Sequence, residues 1–208
     1  VLPVVLFAAI VLLRAPAVLA FPHETTIGRT RILSDRPIGP GIHAVIDRAD
    51  RLLRASPLHD PAMSRQVVLT DGGWRWRVLA AGYGNAVALR RPLSDVLLFN
   101  RSDIAADRVS NGASLGGTRT LSGTIAHETV HLLVARRFGE VHSARLPAWK
   151  REGYADFVAG ETSVDPRDEA RIRAIDPAAG VLLYYDARRR VAAELRANGG
   201  SVGELLGD

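Results

Sequence analysis

Residues 121–138 read LSGTIAHETVHLLVARRF and stop at Gly139, a residue suited to closing a helix. Within that stretch, His127-Glu128-Thr129-Val130-His131 sets two imidazoles at i and i+4, on one face of a helix and one turn apart. Two ligands of a single tetrahedral Zn²⁺ need that separation. Glu128, next to the first histidine, is then placed to take a proton from a metal-bound water. The plain alternative is a helix with two surface histidines and a solvated glutamate, and the surrounding residues decide between the two.

A catalytic zinc takes a third protein ligand and keeps one position open for water. The metzincin extension demands Gly at 134 and His at 137. Val134 and Arg137 stand there, which excludes that class. The gluzincin arrangement takes a glutamate from a following helix, with an aspartate four residues after it. Downstream stands Pro147-Ala148-Trp149-Lys150-Arg151-Glu152-Gly153-Tyr154-Ala155-Asp156. Glu152 and Asp156 lie one turn apart on one helix face, so Glu152 can reach the metal while Asp156 bonds the far nitrogen of a ligand histidine and fixes its tautomer. A bare Glu-x-x-x-Asp elsewhere usually means a solvated face. His142, between the two motif helices, reads as an exposed loop histidine, with second oxyanion donor or rival third ligand as its functional alternatives.

Pro-x-Trp-x-x-Glu-Gly-x-Ala-Asp after His-Glu-x-x-His resembles the gluzincin metallopeptidases, especially the compact bacterial peptidase MA-like domains. The resemblance covers roughly residues 95–206. It implies a zincin-like catalytic domain, His127, His131 and Glu152 as Zn²⁺ ligands, Glu128 as base and proton shuttle, and peptide or protein substrates. Such domains often carry a tyrosine at the start of a third helix that steadies the oxyanion. Tyr185 matches it and Tyr184 reads as core; packing is the alternative for Tyr185. Lys150-Arg151 departs from the pattern, since many relatives have an apolar residue or Asn before the ligand glutamate.

Working outward, apolar residues at 42, 45, 46, 49, 52 and 53 predict a helix over Ile42–Leu53. Gln66–Thr70 predicts a strand closed by Asp71-Gly72-Gly73. The alternation of Trp74–Leu79 predicts a half-buried strand, and Ala86–Leu89 and Asp95–Phe99 predict two more. Asp95–Phe99 is either the edge strand along which a peptide pairs or a structural edge. Trp74, Trp76 and Trp149 read as core or lid packing. Helices follow from Pro147 towards Gly160 and over Ala179–Ala197, and Ser201 caps a last turn, Val202–Leu206. The fold class expected is α+β: a helical lead-in over 22–65, a small mixed or antiparallel sheet over 66–100, and a helical half over 115–208 that carries the zinc site.

Residues 1–21, VLPVVLFAAIVLLRAPAVLAF, form an N-terminal hydrophobic helix that reads as a signal peptide or a membrane anchor. Val18-Leu19-Ala20 offers small residues for cleavage, whereas retention would make Arg14 snorkel. Both readings put residues 22–208 outside the cytoplasm, periplasmic or secreted. The chain has no cysteine, which excludes disulfides and thiolate zinc sites. The net charge of +5 comes almost wholly from scattered arginines, and Arg188-Arg189-Arg190 point to different sides of a helix. No nucleic-acid stripe exists. The expected activity is hydrolysis of peptide bonds by zinc-activated water. The competing reading is a non-catalytic zinc-binding scaffold or interaction module.

Overall fold

Val67-Val68-Leu69 and Val96-Leu97-Leu98-Phe99 are apolar without interruption, as strands are when both faces of their sheet are covered. A computed structural model, which describes residues 16–114 and 116–207, shows this arrangement. Val67, Leu69, Leu97 and Phe99 turn into one core, while Val68, Val96 and Leu98 turn into a second on the opposite face. Neighbouring residues on each strand thus serve different cores.

The strands are β1 (His23–Ile27), β2 (Thr30–Ser34), β3 (Arg65–Thr70), β4 (Ala88–Arg90), β5 (Val96–Asp103), β6 (Arg108–Ser110) and β7 (Thr118–Thr120). They form one mixed sheet in the order β1-β2-β3-β5-β6-β7, with β4 paired to β5. The β2–β3 and β3–β5 pairs are parallel and the rest antiparallel. Eight α-helices stand among the described residues: α1 (Gly41–Leu53), α2 (Trp74–Ala80), α3 (Leu121–Phe138), α4 (Glu140–Arg145), α5 (Ala148–Ala159), α6 (Glu169–Ile175), α7 (Gly180–Ala197) and α8 (Val202–Leu206). The chain is α+β. None of these helices is long and apolar enough to cross a membrane.

The larger core joins one face of the sheet to α1, α3, α5, α7 and α8. Within it α3 is buried on nearly every side. Its first turn is held by two carboxylates: Asp107 accepts from the Ser122 amide and hydroxyl at 2.7 Å each, and Glu161 accepts from the Thr120 hydroxyl at 2.7 Å. Negative charge there complements the helix dipole. Arg65, buried on β3, ties the sheet to two helices by donating to Asp50 on α1 at 2.6 Å and to Thr129 on α3 at 3.3 Å. Helices α5 and α7 cross closely at Gly153, where a Cβ would lie 2.5 Å from the Ala187 carbonyl oxygen.

Several expectations change. Trp74–Ala80 is a helix rather than a strand: Trp76, Leu79 and Ala80 are its buried side, at i, i+3 and i+4, and Asp71 accepts from the Gly73 amide at its start. Residues 22–65 are not only a helical lead-in, because β1 and β2 form a hairpin that joins the sheet. The sheet therefore runs from His23 to Thr120, well beyond 66–100. β5 is an interior strand with β3 on one side and β4 and β6 on the other, so it is not an edge. Of the N-terminal hydrophobic helix, residues 1–15 lie outside the described residues, and Pro16–Leu19 form a 3₁₀ turn.

Candidate metal centre

Helix α3 supplies His127 and His131 one turn apart, and α5 lies alongside with Glu152 facing them. His127 Nε2 and His131 Nε2 are 3.1 Å apart, and Glu152 Oε2 is 3.4 Å from each. Ligand atoms about 2.05 Å from a tetrahedral ion stand about 3.3 Å from one another. The three atoms thus have the mutual spacing that ligands of one tetrahedral ion would need. Two imidazole nitrogens and a carboxylate make a donor set that suits a borderline divalent cation, and the residues fit a metal ion.

The site is layered. Asp156, fully buried one turn beyond Glu152, accepts from His127 Nδ1–H at 2.7 Å. That pairing leaves the Nε2 lone pair of a neutral His127 directed at the cation position. The same Asp156 oxygen accepts from Arg119 on β7 at 2.6 Å, and Arg119 in turn pairs with Glu161 at 3.5 Å. On the other ligand, Arg151 Nε donates to Glu152 Oε1 at 2.8 Å, leaving Oε2 as the oxygen nearest the histidines. The cation at position 151, an oddity of the sequence, thus holds the ligand carboxylate on the oxygen the metal does not need.

Electrostatics follow from this geometry. Burial alone pushes His127 down, but the Asp156 charge and hydrogen bond, with Glu152 adding another, raise its pKa to about 10. Burial pushes Glu152 up, and the charges and hydrogen bonds of the two histidines bring it well below the usual carboxylate range. Without a cation, protonated His127 plays the part of the missing positive charge. Its stabilisation of the metal-free fold is complete below the ordinary histidine pKa of 6.5 and is lost as pH rises through about 10. A metal must displace that proton. Binding of a divalent metal ion near neutral pH is therefore expected to release a proton from His127, with affinity rising about tenfold per pH unit from this group. Calorimetric titration in buffers of different ionisation enthalpy counts the proton, and no release would remove His127 from the ligand set.

The centre opens into a cleft of about 450 Å³ lined by Asn85–Ala88, Asn111, Arg119, His127, Glu128, Glu152, Val181 and Tyr184 among others. Glu128 is buried and faces this cleft beside the ligands. Tyr185 does not reach it. Its ring packs against the Val164–Ile172–Leu182 cluster and lies 5.8 Å from the Arg189 guanidinium. Tyr184 is the residue that lines the cleft. It shares the stripe of Val191 and Leu195, which is core farther along α7, but the first turns of that helix overhang the site. Burial, then the negative charges of Glu152, Asp156 and Glu128, raise the Tyr184 pKa, so its hydroxyl stays a donor. His142 sits on α4, bonded to the Leu206 carbonyl at 2.6 Å and against the Phe138 ring, away from the cleft-lining residues.

One sheet edge near the centre belongs to β4. Val87, Leu89 and Arg91 pair with Asn100, Leu98 and Val96 of β5. The alternation of an antiparallel ladder then turns the backbone N–H and C=O of Ala88 and Arg90 outward. Arg119 and Glu161 escaped the sequence reading, because a buried ion pair between a short strand and a loop leaves no local pattern. Comparison with protein families, curated proteins and solved structures returned no match for this chain.

Proposed function

We propose that this chain is a zinc-dependent metallopeptidase of gluzincin type, with a zincin-like catalytic domain that works outside the cytoplasm. The observation that carries the reading is the triangle of His127 Nε2, His131 Nε2 and Glu152 Oε2, with edges of 3.1, 3.4 and 3.4 Å beside a buried Glu128 in an open cleft. Zinc, when bound, supplies Lewis acidity and a water acidified to a pKa near 7. Glu128 accepts the proton of the attacking water and returns it to the leaving amine. The Tyr184 hydroxyl donates to the oxyanion that develops on the substrate carbonyl. The outward groups of Ala88 and Arg90 on β4 pair with an extended substrate, which aligns the scissile bond with the cleft. Asp156 and Arg119 hold His127.

A zinc-binding scaffold without turnover is the second reading, and the departure from the family pattern at Lys150-Arg151, with Arg151 bonded to the ligand carboxylate, is the observation that favours it. Zinc stoichiometry with a peptide-library cleavage assay on the full chain separates the two. About one zinc per chain with cleavage supports the peptidase; one zinc with none across the library leaves the scaffold. Tyr184→Phe is expected to lower kcat by about 10- to 100-fold with little change in zinc content, and Tyr185→Phe to leave kcat near wild type. Equal effects at the two positions would remove Tyr184 from the chemistry.

A further inference from the structure

The cleft is lined by residues 86–88, and the chain then leaves it through Leu89 and Arg90 to the turn that joins β4 to β5. The outward backbone groups of this stretch are bounded at both ends. Ala86 is already satisfied within the chain, its amide by the Tyr83 carbonyl at 3.0 Å and its carbonyl by Asn100 Nδ2 at 2.9 Å. Pro92, the next outward position after Arg90, has no N–H to offer. Between them Ala88 and Arg90 form a rail of two residues. A single carboxylate holds its far end. Glu140 accepts from both terminal nitrogens of Arg90, with Nη1 at 3.0 Å, and from the Leu93 amide at 2.9 Å. The Arg90 side chain is only 9% exposed, and Leu93 sits at φ +57°, a backbone region that L-residues rarely enter. Burial works against the Glu140 charge, but Arg90, and then the Leu93 amide, hold its carboxyl below the usual range.

Glu140 opens α4, the short helix between α3, which carries His127 and His131, and α5, which carries Glu152. One ion pair thus ties the rail to the segment that joins the helices of the candidate ligands. We propose that Glu140 is a positioning residue for the substrate, holding β4 so that an extended peptide pairs with Ala88 and Arg90 in one register against the cleft. This rests on the reading that a peptide pairs with β4. A peptide laid on two rail residues engages its backbone at alternate positions and leaves the intervening amides free. Glu140 touches no reacting atom, so its loss acts on binding and not on the chemical step.

The test uses the full chain with zinc added and Glu128→Gln in place, so that peptides bind without turnover. The probe is a fluorescent extended peptide, N-methylated at one amide at a time. Methylation should raise Kd about 5- to 10-fold at the engaged amides and little at those between them. Glu140→Ala should raise the Kd of the unmethylated peptide by about as much, keep the zinc content and flatten the methylation pattern. Glu140→Gln retains an acceptor for Arg90 and Leu93 and should restore much of that pattern; it also carries the comparison if Glu140→Ala does not fold. With Glu128 intact, Glu140→Ala should raise KM while kcat stays within about twofold. A methylation pattern as sharp in the Glu140 variants as with Glu140 present would overturn the proposal, as would a fall in kcat as large as the rise in KM. Peptides that do not bind, or that bind with no pattern, would overturn it too. If nothing is cleaved but the pattern appears and Glu140→Ala removes it, the peptidase reading falls and the positioning role stands.

Discussion

Glu128→Gln is expected to keep the zinc content of the wild-type chain and to lower peptide hydrolysis by about 10²- to 10⁴-fold. Glutamine matches the shape of the side chain, so the buried position on α3 repacks without strain. An amide does not accept a proton at neutral pH, and base catalysis is lost with the fold intact. Glu128 stands outside the triangle of ligand atoms, which is why metal retention and activity separate at this residue. The measurement is metal content by elemental analysis beside cleavage rates on a peptide library. Turnover at the wild-type rate would end the assignment of Glu128 as base, and loss of zinc would place it among the ligands. At His131 or Glu152 the two quantities should fall together.

The helices of the C-terminal half were legible because their ends carry local signals. Gly139 closes α3, Pro147 stands before α5, and Ser201 caps α8 by accepting from the Glu204 amide. The pairing of Glu152 with the two histidines was also legible, since helical spacing fixes which side chains share a face. What escaped depends on contacts between distant segments. β1 (HETTI) and β7 (TRT) are polar strands with no apolar alternation to mark them. In WRWRVLA the strand period and the helix period both fit, and seven residues are too few to separate them. The sequence of β5 suggests an edge because its partners β3, β4 and β6 are set by the tertiary fold. That Tyr184 lines the cleft while Tyr185 packs elsewhere escaped for a related reason: sequence gives the stripe on α7 but not where the core beneath it ends and the cleft begins.

Asp156→Ala is expected to lower metal affinity by about 10- to 100-fold and to destabilise the metal-free fold by about 3 kcal/mol. One oxygen of this fully buried carboxylate receives both His127 Nδ1–H and the Arg119 guanidinium, at 2.7 and 2.6 Å. Burial works against the charge, but His127 and then Arg119 hold the pKa of Asp156 below its ordinary value. Its stabilising contribution is therefore present above the ordinary aspartate pKa of 3.8 and is lost as pH falls through the lower folded value. Removing it leaves Arg119 buried with Glu161 alone, and Glu161 is a weak substitute: burial raises its pKa, and its contact with Arg119 is 3.5 Å. It also frees the His127 ring to rotate, which is the source of the affinity loss. Asp156→Asn keeps an acceptor for Nδ1–H and should recover part of the metal affinity while losing the charge pairing. The partner variant makes the argument sharp. If Asp156 acts by neutralising Arg119, then Asp156→Ala with Arg119→Met should cost the fold less than the two single changes added together, by about 1–3 kcal/mol in denaturant unfolding. Metal affinity should not recover in that double variant, because His127 still lacks its acceptor. Strict additivity in stability would dissolve the Arg119–Asp156 pairing, and unchanged zinc affinity in Asp156→Ala would show that the histidine needs no second partner to hold the ion.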